Sequence, residues 1–179
     1  LINLIITTKK SNESAVVVVN TIKRSIEIYD LLKDHYKTMY LSTNIIPKHR
    51  AQVITETKNL LKNHIPCVLV STQTIEAGVD LDFDIGYRDI APLESIIQTA
   101  GRVNREGQKE ENRPLYVIEL ENDNNIYRFY NVEKTKEKLK NEITEDKYHV
   151  LIDDYYKDLL EDKYYDTDIW EEGILQLEF

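Results

Sequence analysis

The chain has 179 residues, of which 41% are hydrophobic, and this suits one domain with a hydrophobic core. The sequence contains no apolar run of about 18 residues, so no membrane span is predicted. The only cysteine, Cys67, lies in an apolar run, which excludes an internal disulfide and fits a reducing, cytoplasmic environment. The net charge is −9 and uneven: residues 1–109 carry 14 basic and 12 acidic side chains, whereas residues 110–179 carry 9 and 20, so we do not expect the acidic part to bind nucleic acid.

Short apolar segments alternate with amphipathic segments over the first two thirds of the chain. The pattern predicts five strands, at residues 15–20, 37–42, 66–71, 83–85 and 114–120. It predicts three helices between them, at residues 21–36, 47–64 and 92–105. Such alternation is typical of βαβ units, so we expect an α/β fold with a mostly parallel sheet and helices on both of its faces.

The pattern changes from about residue 122. Charged helices are predicted over residues 124–143 and 154–165, and eight of the 12 tyrosines follow residue 109. We therefore divide the chain into an α/β domain, residues 1–121, and an acidic, Tyr-rich helical extension, residues 122–179. The extension either packs on the sheet or awaits a partner.

Four acids follow the third predicted strand, in the segment STQTIEAGVDLDFDIG: Glu76, Asp80, Asp82 and Asp84. They are open to three interpretations, as metal ligands, as a general acid/base pair or as parts of a polar loop. No histidine or cysteine stands near them at metal-ligand spacing, so no metal site is predicted. The sequence also contains no GxGxxG and no GxxxxGK, and therefore lacks a phosphate-binding loop of its own.

A second motif lies downstream: Gln98, Gly101, Arg102 and Arg105 form QxxGRxxR within SIIQTAGRVNREG. This resembles motif VI of superfamily-two helicases, and STQTIEAGVDLDFD resembles motif V. VVVVNTIKRS resembles motif IV, and MYLSTNIIPKHR resembles the segment that follows motif IV in these helicases. Together, over about residues 15–120, they most resemble the second RecA-like domain of the CRISPR-associated type I helicase-nuclease family. The start at Leu1 without methionine favours a fragment, although a separate natural subunit stays open.

The resemblance implies ATP, with Mg²⁺ held by a first RecA-like domain that is not in this sequence. Arg102 and Arg105 would act on the γ-phosphate, and their spacing on the predicted helix would put both guanidinium groups on one face. Gln98, one turn earlier, would bind a phosphate or position the attacking water. Gly78 and Asp80 would contact the nucleotide, with Asp80 bonding its ribose or an arginine of motif VI. We expect Asp82 and Asp84 to be loop and strand-edge residues that hold basic neighbours such as Arg88 or Arg105, and Glu76 to orient the neighbouring backbone or nucleic acid.

The same resemblance places single-stranded DNA across the strand ends. Small polar side chains there can bind phosphates without reading bases. The candidates are Asn20, Thr21, Ser42, Thr43 and Thr72. Helix caps and turns are an equally open interpretation of the same residues.

These features favour the second motor domain of an ATP-dependent helicase that translocates on and unwinds DNA during foreign-DNA interference. Its partners would be the first RecA-like domain and nuclease domain of the same protein, single-stranded DNA and a CRISPR surveillance complex. The chain alone is expected to be inactive as an ATP hydrolase, because it lacks the P-loop and the Asp-Glu magnesium motif. Two alternatives remain: another superfamily-two helicase acting on RNA or DNA, and a non-enzymatic scaffold that docks a partner through the acidic tail.

Overall fold

The computed structural model describes residues 1–76, 79–105, 107, 113–120, 127 and 132–160. The chain divides into two compact units, Leu1–Arg128 and Phe129–Phe179. Five strands lie in the first unit: β1 (Ala15–Val18), β2 (Thr38–Leu41), β3 (Val68–Ser71), β4 (Ile85–Asp89) and β5 (Leu115–Ile118). The predicted boundary after residue 121 falls next to residues outside the described ranges and stays a prediction.

All five strands belong to one parallel sheet in the order β2-β3-β1-β4-β5. The central strand, β1, is a run of Ala and Val buried on both faces, and Val17 pairs with Val70 on one side and Tyr87 on the other. β-branched side chains suit this pleated, doubly covered position. The predicted α/β fold with a parallel sheet is thus confirmed.

Helices cover both faces of the sheet. They are α1 (Ile2–Thr8), α2 (Ile22–Leu32), α3 (Pro47–Lys62) and α4 (Leu93–Ala100). Alternate residues of β1 face opposite ways, so Val17 packs with α1 and α2 while Val16 packs with α3. Thr21 begins α2 by accepting a hydrogen bond from the Arg24 backbone N–H, and Pro47 begins α3.

Three elements differ from the sequence prediction. Helix α1 was not predicted; its Ile5 is completely buried against the sheet core. β4 runs from Ile85 to Asp89 rather than around residues 83–85, because Arg88 is buried and paired with Glu76 instead of ending the strand. Helix α4 ends at Ala100 rather than Arg105, since Gly101 terminates it and the segment around Val103 bridges to Phe83, which hydrogen-bonds to Arg102 and Asn104.

The second unit contains α5 (Val132–Lys138), a 3₁₀ turn at Glu145–Lys147 and a helix at residues 148–160. Lys138 and Asp158 form a 3.0 Å ion pair within it, and Tyr155 is buried. Helix α5 ends at Lys138, before the end of the helix predicted over residues 124–143, and most of the predicted helix before Val132 lies outside the described residues. The predicted helix over residues 154–165 is observed as far as residue 160, and its remainder lies outside the described residues. Within the described ranges, no helix is both long and apolar enough to cross a membrane.

Candidate functional site

The acids singled out in the sequence lie in the β3–β4 segment, residues 72–84, of which residues 77 and 78 are outside the described ranges. Because β3 and β4 are parallel, this segment must return from the carboxyl end of one strand to the amino end of the other. It begins with a 3₁₀ turn at Gln73–Ile75, and its apolar residues Val79, Leu81 and Phe83 are buried on the α3 side of the sheet. The polar residues between them are thereby held at defined positions. Gly78 is not described, so its nucleotide contact stays a prediction.

The segment that follows α4 is tied to the β3–β4 segment by backbone hydrogen bonds. Phe83 donates its N–H to the Arg102 carbonyl at 2.9 Å, and Asn104 donates its N–H to the Phe83 carbonyl at 2.9 Å. Asn104 has φ of 50°, a left-handed conformation that asparagine tolerates better than most residues. The prediction that Arg102 and Arg105 share a helix face is therefore wrong. Both follow the end of α4, and their positions are set by the bridge to Phe83 and by the turn at Asn104.

Arg102 points back to the start of the β3–β4 segment. Its Nη2 donates to the Glu76 carbonyl at 2.8 Å and its Nε to the Ile75 carbonyl at 3.3 Å. Partial burial, followed by the positive charge of Arg105, lowers the pKa of Arg102. An arginine remains protonated at neutral pH despite such a shift. Arg102 is thus a half-buried cation held by two backbone carbonyls.

Arg105 is exposed and pairs with Asp80. Its Nη1 lies 2.8 Å from Asp80 Oδ1, and its backbone N–H donates to Asp82 Oδ1 at 2.8 Å. The other oxygen of Asp80 accepts a hydrogen bond from Lys58 on α3 at 3.1 Å. The Lys58 hydrogen bond and charge, and then the charge of Arg105, lower the pKa of Asp80. Asp80 therefore stays ionised between two cations.

The other two acids near the arginines act on the backbone. Asp82 receives the Arg105 N–H, and Asp84 Oδ2 accepts the backbone N–H of Ser14 at 2.6 Å. The Ser14 contact fixes the start of β4 beside the start of β1. Gln98 lies exposed on α4. Its role at a phosphate or water stays a prediction.

Sequence reasoning missed a buried ion pair that involves Glu76, whose carbonyl accepts from Arg102. Glu76 Oε1 lies 3.0 Å from Nη2 of Arg88, a residue of β4 that is completely buried. Burial raises the pKa of Glu76, while the charge of Arg88 and hydrogen bonds from Ser95 and Thr99 favour its ionised form. The available signal was an arginine inside an otherwise apolar strand, since a buried charge requires a partner.

The five candidate nucleic-acid residues lie near the carboxyl ends of β1, β2 and β3, but they differ in exposure. Thr43 is exposed, whereas Asn20, Ser42 and Thr72 are buried. Thr21 Oγ1 is engaged as the α2 cap. Thr43 alone among the five thus presents an exposed side chain, and contacts of all five with nucleic acid remain predictions.

No group of three or more His, Cys, Asp or Glu residues in the described ranges is placed to hold a metal ion. The site instead combines two arginines, Arg102 bound to carbonyls at the start of the β3–β4 segment and Arg105 bound to a carboxylate further along it. Cations held in this way can exchange their partners for phosphate oxygens. The parallel sheet with helices on both faces defines a RecA-like α/β domain as the class of protein.

A family model for the C-terminal part of the CRISPR-associated nuclease/helicase Cas3 matches residues 11–108, more than half of the chain. The chain therefore belongs to this family. The CRISPR-associated nuclease/helicase Cas3 of Methanothermobacter thermautotrophicus is 31% identical over 117 residues, which cover 64% of this chain and 14% of that protein.

Solved structures show the same fold. The crystal structure of T. fusca Cas3 with AMPPNP matches with a TM-score of 0.72 and 21% identity, over 97% of this chain and 23% of that one. A chain of a pre-nicking CRISPR RNA-guided surveillance complex matches with a TM-score of 0.62 and 22% identity, over 98% of this chain and 24% of that one. In each case the chain spans about a quarter or less of the length of the protein it matches.

Proposed function

We propose that this chain is the second motor domain of an ATP-dependent CRISPR-associated helicase. ATP with Mg²⁺ would bind between it and a first RecA-like domain, which supplies the phosphate loop and the magnesium ligands. The observation that carries the proposal is the cluster of Arg102, Arg105 and Asp80, which two hydrogen-bonded chain segments bring together. Family membership and the structural likeness to a Cas3 crystallised with an ATP analogue support it.

The two arginines would stabilise negative charge on the γ-phosphate during its transfer to water. Loss of such an arginine lowers the rate roughly 10³- to 10⁵-fold in enzymes that use one. Arg105 is exposed and held by an exposed carboxylate, so phosphate can replace Asp80 at little desolvation cost. Arg102 is held by carbonyls, which keep its guanidinium directed at the β3–β4 segment until nucleotide arrives. Gln98 would bind a phosphate or orient the water.

Single-stranded DNA would cross the carboxyl ends of β1, β2 and β3. Thr43 is the exposed candidate for phosphate binding there. The other four candidates would shape the strand ends along which the DNA backbone runs: Asn20, Thr21, Ser42 and Thr72. Contacts with phosphates rather than bases suit translocation on any sequence. The nuclease domain of the same protein and a CRISPR surveillance complex are the proposed partners; the structural likeness to a chain of such a complex supports the second.

The test is ATP hydrolysis by the reconstituted helicase, meaning this chain together with the first RecA-like domain, as one polypeptide or two. We expect hydrolysis stimulated by single-stranded DNA, and no hydrolysis by this chain alone. Arg102→Ala and Arg105→Ala should each reduce kcat at least about 10³-fold. Lys33→Ala, which removes a cation from the exposed ion pair with Asp30 at the end of α2, is the control and should leave kcat unchanged.

Three results would contradict the proposal. Robust hydrolysis by the isolated chain would show that it is not half of a site. Full activity in both arginine variants would favour a scaffold that docks partners. Stimulation by RNA in place of single-stranded DNA would assign the domain to another kind of superfamily-two helicase.

A further inference from the structure

Tyr127 lies beyond the residues that the family model matches and makes three hydrogen bonds through one hydroxyl. The hydroxyl accepts from Gln73 Nε2 at 2.9 Å and from Arg88 Nη2 at 3.3 Å, and it donates to Asn20 Oδ1 at 3.1 Å. A phenol hydroxyl has one proton to donate and two lone pairs, so these contacts use its full capacity. Tyr127 is half-buried, and the full use of its hydroxyl in hydrogen bonds indicates a specific structural contact.

The partners of Tyr127 are tied to one another as well. Arg88 Nη1 donates to Asn20 Oδ1 at 2.6 Å, and Gln73 Nε2 donates to the Asn20 backbone carbonyl at 3.2 Å. Asn20 Nδ2 in turn donates to the Ile90 carbonyl at 2.7 Å. The cluster therefore joins the carboxyl ends of β1, β3 and β4. Because Arg88 is completely buried, each lost acceptor in its surroundings carries a desolvation cost.

The same cluster reaches the proposed nucleotide-binding arginine in two steps. Arg88 pairs with the Glu76 carboxylate, and the Glu76 backbone carbonyl accepts from Arg102. Gln73 begins the 3₁₀ turn that also provides the Ile75 carbonyl to Arg102. At its other end the cluster contains Asn20, a candidate strand-end residue for nucleic acid. Hydrogen bonds and the Arg88–Glu76 ion pair thus join the two proposed ligand sites.

We propose that Tyr127 is a positioning residue for ATP hydrolysis, acting through Gln73, Arg88 and Glu76 on the placement of Arg102 and linking it to the DNA-binding end of β1. The inference rests on the proposed function. Tyr127 touches neither reacting atoms nor, in this assignment, nucleic acid. Tyr127 holds the 3₁₀ turn at a fixed position relative to the end of β1. That turn presents two backbone carbonyls to Arg102.

The test is the ratio of ATP hydrolysis with and without single-stranded DNA in the reconstituted helicase carrying Tyr127→Phe. This substitution keeps the ring and removes only the hydroxyl. We expect the ratio to fall roughly 2- to 10-fold, the change that corresponds to one net hydrogen bond, with KM for ATP changed less than twofold. A loss of folded protein lowers both rates in proportion and leaves the ratio unchanged, so the ratio separates positioning from stability.

Tyr40→Phe is the matched control, because it removes another tyrosine hydroxyl that bonds to Ser25 Oγ at 3.0 Å on the α2 side of the sheet. Its ratio should equal that of the wild type. An unchanged ratio in Tyr127→Phe, whether or not the melting temperature falls, would overturn the inference and leave the proposed function intact. A wild-type helicase that single-stranded DNA does not stimulate would overturn the proposed function and the inference with it.

Discussion

Glu76 and Arg88 form an ion pair at 3.0 Å with Arg88 completely buried and Glu76 8% exposed. The two charges are held out of water near the carboxyl ends of β3 and β4. A buried pair needs hydrogen bonds to its other polar atoms. Asn20 and Tyr127 accept from Arg88, and Ser95 and Thr99 bond to Glu76, whereas Arg88 Nε has no hydrogen-bond partner among the described residues.

Removing one charge of this pair should be strongly destabilising. Glu76→Gln leaves the buried guanidinium uncompensated, and we expect a loss of roughly 3–5 kcal/mol in the free energy of unfolding. Glu27→Gln breaks the exposed Arg24–Glu27 pair instead and should cost less than about 0.5 kcal/mol. Urea unfolding of both variants measures the difference; equal effects would contradict the buried role of Glu76.

Gly86 should not tolerate a side chain. A Cβ at this position would lie 2.5 Å from Leu115 Cδ1 and 2.8 Å from Val103 Cγ2. We expect Gly86→Ala to destabilise the domain by about 1–3 kcal/mol, as overpacking does, and Leu115→Ala in the same chain to recover part of the loss. Gly101→Ala is the control, because its Cβ meets nothing closer than 3.6 Å. A melting temperature of Gly86→Ala equal to that of the wild type would contradict the close approach of Leu115 to Gly86.

Tyr87 should make the domain sensitive to alkaline pH. Burial raises the pKa of its phenol from 10.0 to about 12, although a hydrogen bond with Thr8 at 2.7 Å opposes the shift. A pKa raised in the folded state contributes stability that is complete below pH 10 and is lost as the pH rises towards 12. Tyr87→Phe should therefore flatten the fall in stability over this window in urea titrations. Ionisation of Tyr87 near pH 10, seen as tyrosinate absorbance in the folded protein, would contradict its burial.

Asp80 should matter for catalysis more than for stability. Asp80→Asn removes the charge that Arg105 and Lys58 share, so the Arg105 guanidinium is no longer held in place at the proposed nucleotide site. We expect kcat of the reconstituted helicase to fall, but by less than the roughly 10³-fold effect of losing an arginine finger. The melting temperature should change little, because the carboxylate is exposed. Asp30→Asn, which breaks the exposed ion pair with Lys33, is the control. An equal change in kcat for Asp30→Asn and Asp80→Asn would contradict a specific role of Asp80.

The sheet could be predicted because its strands are continuous runs of apolar residues, as in β1 and β3, with helix starts marked by Thr21 and Pro47. β4 was placed too early because Arg88 and Asp89 resemble the end of a strand, and their partners are distant in the sequence: Glu76 pairs with Arg88, and the Leu120 backbone N–H donates to Asp89. The end of α4 was missed for a similar reason: Arg102 and Asn104, on either side of Val103, leave the helix to hydrogen-bond with Phe83. The resemblance to motifs V and VI singled out Arg102, Arg105 and Asp80, whose roles stay predictions, whereas Tyr127 has no local signal.

The Phe83–Val103 bridge has a mechanical consequence. Its two hydrogen bonds join the chain just before β4 to the chain just after α4, and so hold the loop that carries Asp80 beside the turn that carries Arg105. The strand and helix between these two points form a closed loop of chain. We therefore expect an insertion of one helical turn into α4 to lengthen that loop and to leave the Asp80–Arg105 ion pair formed.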